Sequence, residues 1–251
     1  MKVISILNRK GGVGKTATVQ ALGAGLQKKG KRVLFIDLDS QLNLSYGMKA
    51  NWRAPGSMEV LQREVEPAEA IQHTEQGDIL TASEGLATAD IKLTETGKEY
   101  RLKEALEAVK GKYDYVIIDT PAQLGIVTVN ALTASDSVVI PVQAEAYSLM
   151  GFNQLYAAID TVKKYCNSKL KIDGVLITRF DKRPVIGRDM QENMQIIAEQ
   201  LHTRLYTRPI RECVAVKEAQ ALQTNIFDYA PRSNAAEDYA AFIEELLKGG
   251  K

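Results

Sequence analysis

The chain has 251 residues, of which 45% are hydrophobic and 25% charged, with a net charge of +1 and two cysteines. That composition supports a sizeable core and excludes collagen-like, disulfide-stapled and wholly disordered classes. No apolar run reaches 18 residues, so a membrane-spanning helix is excluded as well.

In chain order, apolar strand-like runs fall at 2–8, 33–37, 78–82, 114–118, 137–142, 172–178 and 205–210. Helical patterns fall at 15–29, 99–110, 148–165, 188–202 and 234–248. Residues 47–76, which hold the single tryptophan, Trp52, are less regular and read as short helices. The alternation predicts an α/β fold: a mostly parallel sheet with helices on both faces, in one domain spanning 1–251. The sequence opens directly on a strand-like run, so no signal peptide is expected. Cys166 and Cys213 form no C-x-x-C pattern, which fits a reducing cytoplasm. His73 and His202 offer no metal cluster.

Between the first strand and first helix stands Arg9-Lys10-Gly11-Gly12-Val13-Gly14-Lys15-Thr16. Gly14, Lys15 and Thr16 fit the second half of the P-loop G-x-x-x-x-G-K-[ST], but Arg9 stands where its first glycine belongs, and Lys10 adds a second lysine. Glycines 11, 12 and 14 let successive N–H groups curl toward phosphate oxygens, aided by the helix N-terminus. Lys15 then reaches the β- and γ-phosphates and Thr16 offers its hydroxyl to Mg²⁺; Val13 and Ala17 complete the loop. The first 32 residues carry eight Lys or Arg and no acid, which suits a polyanionic ligand. Two further strands end in acids, at Asp37-Leu38-Asp39 and at Asp119-Thr120-Pro121. Strand ends of a parallel sheet converge, so Asp119 is the candidate for the Mg²⁺ shell, directly or through water. Asp37 stands behind it, and Asp39 is the candidate for orienting attacking water.

The segments NRKGGVGKT (8–16), DLDSQLN (37–43), VIIDTP (116–121), PVQAEAYSLMG (141–151), PIRECVAVKEA (209–219) and FDYAPRSNAAEDY (227–239) resemble the ParA group of deviant-Walker P-loop ATPases, which includes Soj and the related MinD. The resemblance implies an ATP- and Mg²⁺-dependent homodimer that coats double-stranded DNA without sequence preference. It also implies that a ParB-type partner stimulates slow ATP hydrolysis, in a cytoplasmic, nucleoid-associated protein that partitions plasmids or chromosomes. It gives Lys10 a role in trans, on the phosphates of the partner subunit, while Lys15 acts in cis. Ala17, Ser40 and Ala122-Gln123 depart from the group's usual residues, which bears on rate and switch timing. With the loop beginning at residue 10, no leading helix-turn-helix domain is expected.

The adenine is placed between Thr178–Arg179 and Pro209–Ile210. Thr178-Arg179-Phe180-Asp181 stands one residue from the guanine-reading T-K-x-D, so Asp181 leaves GTP as an alternative. Charge is segregated along the chain, with +3 over 179–217 and −7 over 55–107. Arg183, Arg188, Arg208, Arg211 and Lys217 are the candidates for a non-specific phosphate-binding patch. Two alternatives share the chemistry, a positioning ATPase for a protein cargo and a MinD-like membrane-attached ATPase. The latter needs a basic amphipathic tail, whereas the tail here is acidic until its end and reads as packing on its own domain, with no membrane partner. An iron–sulfur reductase lacks its paired cysteines here, and a tyrosine kinase its terminal tyrosine cluster.

Overall fold

The computed structural model describes residues 1–143, 149–181, 192, 194–200 and 202–249. Its strands are β1 (Lys2–Ile6), β2 (Val33–Asp37), β3 (Ile71–Thr74), β4 (Gly77–Leu80), β5 (Tyr115–Asp119), β6 (Ser137–Gln143), β7 (Lys171–Thr178) and β8 (Arg204–Leu205). Its helices are α1 (Lys15–Lys28), α2 (Asn43–Gly47), α3 (Ser57–Leu61), α4 (Pro67–Ala70), α5 (Ala89–Lys92), α6 (Arg101–Glu107), α7 (Ile126–Ala134), α8 (Leu149–Tyr165), α9 (194–200), α10 (Val214–Ala221), α11 (Ile226–Tyr229) and α12 (Asn234–Lys248). The strands form one sheet in the order β3-β4-β2-β5-β1-β6-β7-β8, parallel throughout except for the β3–β4 hairpin.

The apolar runs alternate between the two faces of the sheet, both of them covered, which is why they read as nearly continuous. Ile4, Ile6, Phe35, Ile117, Val139 and Leu176 face α1 and α12. Val3, Leu34, Ile36, Val116 and Ile118 face α3, α6 and α7. Val138, Ile140, Val142, Val175 and Ile177 face α8 and α9. Helix α1 lies so close to β2 that a methyl group on Gly23 would overlap the Phe35 ring. Gly30, at φ +75°, ends α1 by donating to the Gln27 carbonyl at 2.8 Å. The apolar face of α12 (Tyr239, Phe242, Ile243, Leu246) packs into the core shared with α1, as expected for a tail folded onto its own domain.

The sheet departs from the sequence expectation at its edges. Strand β3 carries one isoleucine in four residues, and hairpin pairing with β4 fixes it instead. The run 205–210 yields a ladder of only Arg204–Leu205. Tyr206 and Ile210 still donate to Val175 and Ile177 at 2.9 and 2.8 Å, but the chain between them includes Pro209, which has no N–H to give. The stretch 99–110 starts as a 3₁₀ turn, Lys98–Tyr100, before α6. Helices α7 and α10 are absent from the sequence expectation; α7 is rich in β-branched residues that favour strands.

Candidate active site

Strand order reverses direction around β1, and parallel sheets bind ligands at the carboxyl ends flanking such a point. The glycine loop leaves β1 there. Gly12 and Gly14 adopt φ +75° and +83°, a region that side chains disfavour, and Gly14 turns the chain into α1. Polar side chains fix the loop from both flanks. Asn8 donates from Nδ2 to the Pro141 carbonyl at 2.6 Å, and its Oδ1 accepts the Lys10 N–H at 3.0 Å. The Thr178 hydroxyl lies 2.8 Å from the Val13 carbonyl and 3.0 Å from that of Val142. Lys15, though charged, is 7% exposed.

Beneath the loop two acids stand in register on neighbouring strands, Asp37 on β2 and Asp119 on β5, both fully buried. Asp37 is saturated: Oδ1 accepts the Asp39 N–H at 3.0 Å, and Oδ2 accepts the Ser45 N–H at 2.8 Å and hydroxyl at 2.7 Å. Burial nevertheless pushes its carboxyl up to about 6. Asp119 is only half satisfied. Its Oδ2 accepts the Thr16 hydroxyl at 2.6 Å, while Oδ1 is buried without a hydrogen-bond partner among the described residues. Burial first, and then the charge of Asp37, hold Asp119 well above the carboxylate range despite Thr16 and Lys15. An orphaned carboxylate oxygen beside a threonine hydroxyl suits a hard divalent cation that keeps several waters. No cluster of three or more His, Cys, Asp or Glu exists among the described residues, so a full protein cage is not on offer there.

Asp39 begins the turn leaving β2. Its Oδ1 accepts the Gln41 N–H at 3.0 Å and its carbonyl the Leu42 N–H at 2.9 Å. Above the loop opens a cleft of about 780 Å³. One wall runs from Asp39 to Gly47 and the other along α10, with the loop and Gln20 of α1 also lining it. Tyr46, on the first wall, is half exposed and stands 6.3 Å from the Trp52 ring. A bridge of charges crosses the far side. Arg179 reaches the Gly12 carbonyl at 3.4 Å and Glu212 at 2.8 Å, and Glu212 also meets Lys217 at 3.2 Å.

Residues 1–172 match the family described as AAA domain. The sporulation initiation inhibitor protein Soj of Bacillus subtilis is 42% identical, over 99% of this chain and 99% of its own. This chain belongs to the ParA/Soj family of P-loop ATPases. The chromosome partitioning protein ParA of Myxococcus xanthus is 36% identical over 98% of this chain and 88% of its own. Among solved structures, cobyrinic acid a,c-diamide synthase from Mycobacterium smegmatis, with bound ADP and magnesium, superposes with a TM-score of 0.87 at 34% identity, covering 100% of this chain and 97% of that one.

Set against what the ParA/Soj resemblance implied, the cleft gathers Gly11, Gly12, Gly14, Lys15, Thr16, Ala17, Asp39, Thr178, Arg179 and Ile210. Val13 is fully buried behind the loop, and Lys10, half-buried, and Pro209 stand outside the lining. Asp181, the guanine alternative, is exposed and outside it too. Of the phosphate-patch candidates, Arg183 and Arg188 lie outside the described residues. Arg211 donates to both oxygens of Asp238 at 2.7 Å, and Arg208 meets the same carboxylate at 2.7 Å. Arg211 and Lys217 line the cleft itself. Sequence reasoning missed Gln20, Ser45, Cys213, Val216, Gln220 and Tyr239. The available signal was the amphipathic octet of α10 and the motif PIRECVAVKEA, whose role the sequence left open.

Proposed function

We propose that this chain is an ATP-driven dimerisation switch, one ATPase domain that hydrolyses ATP to ADP and phosphate. As a dimer it retains duplex DNA without sequence preference, and a ParB-type partner times its release during plasmid or chromosome partition on the nucleoid in the cytoplasm. One observation carries the nucleotide site on which this reading rests: a buried acid, Asp119, with one oxygen unpartnered among the described residues, hydrogen-bonded to the threonine that ends a glycine loop with a buried lysine.

Loop N–H groups and Lys15 cradle the β- and γ-phosphates. Thr16 and Asp119 would hold Mg²⁺, with Asp37 behind them, and the metal would supply neutralising charge at the phosphates. Asp39, whose backbone is tied to Asp37, orients the attacking water. Thr178, Arg179, Pro209 and Ile210 bracket the adenine. The Lys10 side chain, outside the cleft lining of its own subunit, serves the partner's phosphates, a charge supplied in trans. Phosphate contacts to DNA come from Arg183, Arg188, Arg208, Arg211 and Lys217. Of these, Arg208 is paired with Asp238, while Arg211 and Lys217 line the cleft and are paired with Asp238 and Glu212, so each must release a carboxylate before it meets a DNA phosphate, and the last two do so at the cleft's rim.

Sedimentation with ATP and Mg²⁺ tests the switch. Wild-type protein passes from monomer to dimer and then stays on random duplex in a salt-sensitive manner. Lys10→Ala binds ATP but remains monomeric and does not hydrolyse it. A Lys10→Ala dimer of normal stability, or DNA retention indifferent to salt, overturns the proposal.

A further inference from the structure

We propose that Gln76, which does not line the cleft, is a positioning residue that sets the gap between the cleft's two walls and through it the affinity for nucleotide. The inference rests on the ATP site proposed above and adds a determinant that lies outside it.

The two walls, Asp39–Gly47 and α10, are far apart in the chain, and the β3–β4 turn between them in sequence carries the clasp. Gln76 Nε2 donates to the Gly47 carbonyl at 2.7 Å and to the Gln223 carbonyl at 3.0 Å. One amide nitrogen thus uses both hydrogens to tie the end of α2 to the residues that follow α10. Its Oε1 accepts Gln20 Nε2 at 2.8 Å, and Gln20 is a buried residue of α1 that lines the cleft. Gln223 closes the ring by donating Nε2 to the Tyr46 carbonyl at 2.8 Å. Reversing the Gln76 amide would set its oxygen against two carbonyls, so the network fixes its orientation.

Gln76 is itself anchored. Its N–H donates to the Thr74 hydroxyl at 3.2 Å, that hydroxyl donates to the Gly77 carbonyl at 2.8 Å, and the Gln76 carbonyl accepts Gln27 Nε2 at 3.1 Å. Gln223 holds φ +53°, a backbone state that persists in a non-glycine residue where its surroundings over-determine it. A hydrogen-bonded network rigidifies when every member is satisfied and loosens when one is removed. The consequence falls on the walls, because Gly47 and Tyr46 belong to one and the chain just past α10 anchors the other.

The test is Gln76→Ala, assayed by ATP titration and steady-state hydrolysis. The variant removes three side-chain hydrogen bonds; KM for ATP rises roughly five- to tenfold, the equivalent of about one net hydrogen bond felt at the site, while kcat at saturation stays near wild type. Gln76→Glu keeps the acceptor for Gln20 but faces two carbonyls with a carboxylate, so its KM rises at least as far. Gln72→Ala, in the same hairpin, removes bonds of 2.8 and 2.9 Å to Asn51 and leaves KM unchanged. A wild-type KM in Gln76→Ala, an equal rise in Gln72→Ala, or a fall confined to kcat overturns the inference. Wild-type protein without ATP affinity overturns the nucleotide site along with it, whereas a normal wild type beside an unaffected Gln76→Ala overturns this clasp alone.

Discussion

Asp119→Asn is expected to stabilise the nucleotide-free protein and to abolish its response to magnesium. Asp119 is fully buried, one oxygen has no hydrogen-bond partner among the described residues, and a second buried acid stands beside it in register. Asparagine has the same shape, keeps an acceptor for the Thr16 hydroxyl and carries no charge. An unsatisfied buried polar group costs about 1–3 kcal/mol and more when it is ionised, and burial together with the neighbouring Asp37 opposes ionisation of Asp119. For a chain of this size about 1 kcal/mol moves the melting point by roughly 2–4 °C, so the variant melts several degrees higher without ligand. Wild-type protein gains about 2.7 kcal/mol from a ligand present at a hundred times its Kd. In Asp119→Asn, adding Mg²⁺ to saturating ATP brings no further gain. Scanning calorimetry without ligand, with ATP, and with ATP plus Mg²⁺ reads both effects. A variant that melts below wild type without ligand, or that keeps the magnesium-dependent gain, refutes the assignment.

Asp238→Ala removes the carboxylate that Arg208 and Arg211 share, leaves both with longer contacts to Glu237, and costs about 1–3 kcal/mol, read as a lower urea midpoint at neutral pH; an unchanged midpoint counts against the pairing. Burial raises this carboxyl, but the hydrogen bonds of Arg211 and the charges of both arginines outweigh it and hold it below its ordinary value. Its contribution is therefore whole above about pH 4 and fades as pH falls through the lower folded-state value. Acid titration of Asp238→Asn should accordingly show a shallower loss of stability below pH 4 than wild type. Gly23→Ala drives a methyl into the Phe35 ring and destabilises by about 1–3 kcal/mol, and Phe35→Leu in the same chain recovers part of it; additive losses in the double variant would place the clash elsewhere.

The glycine loop and its two acids were legible in the sequence because their signals are local. A strand, a turn and a helix start lie within one contiguous stretch, and strand polarity alone carries Asp37 and Asp119 to the same sheet edge. The second wall was not legible. Helix α10 is an eight-residue amphipathic segment, and nothing in its spacing says that its open side faces Gly47 rather than water. The glutamine cluster joins positions 20, 76 and 223, none of which forms a motif with its neighbours in sequence. Charge counting found the surplus of arginine near Arg208 and Arg211 but not its partner, because Asp238 lies on a helix some thirty residues further on. The edge strands failed for a related reason: β3 and the chain beyond β8 owe their extension to pairing rather than to their own composition.

The contact between Tyr46 and Trp52 has a practical consequence. Because the chain contains a single tryptophan, indole emission, excited beyond the tyrosine absorption band, comes from one place, beside a ring that borders the cleft. Any shift of that border changes the indole's surroundings, so the protein carries its own optical gauge and needs no attached dye to follow the event in real time.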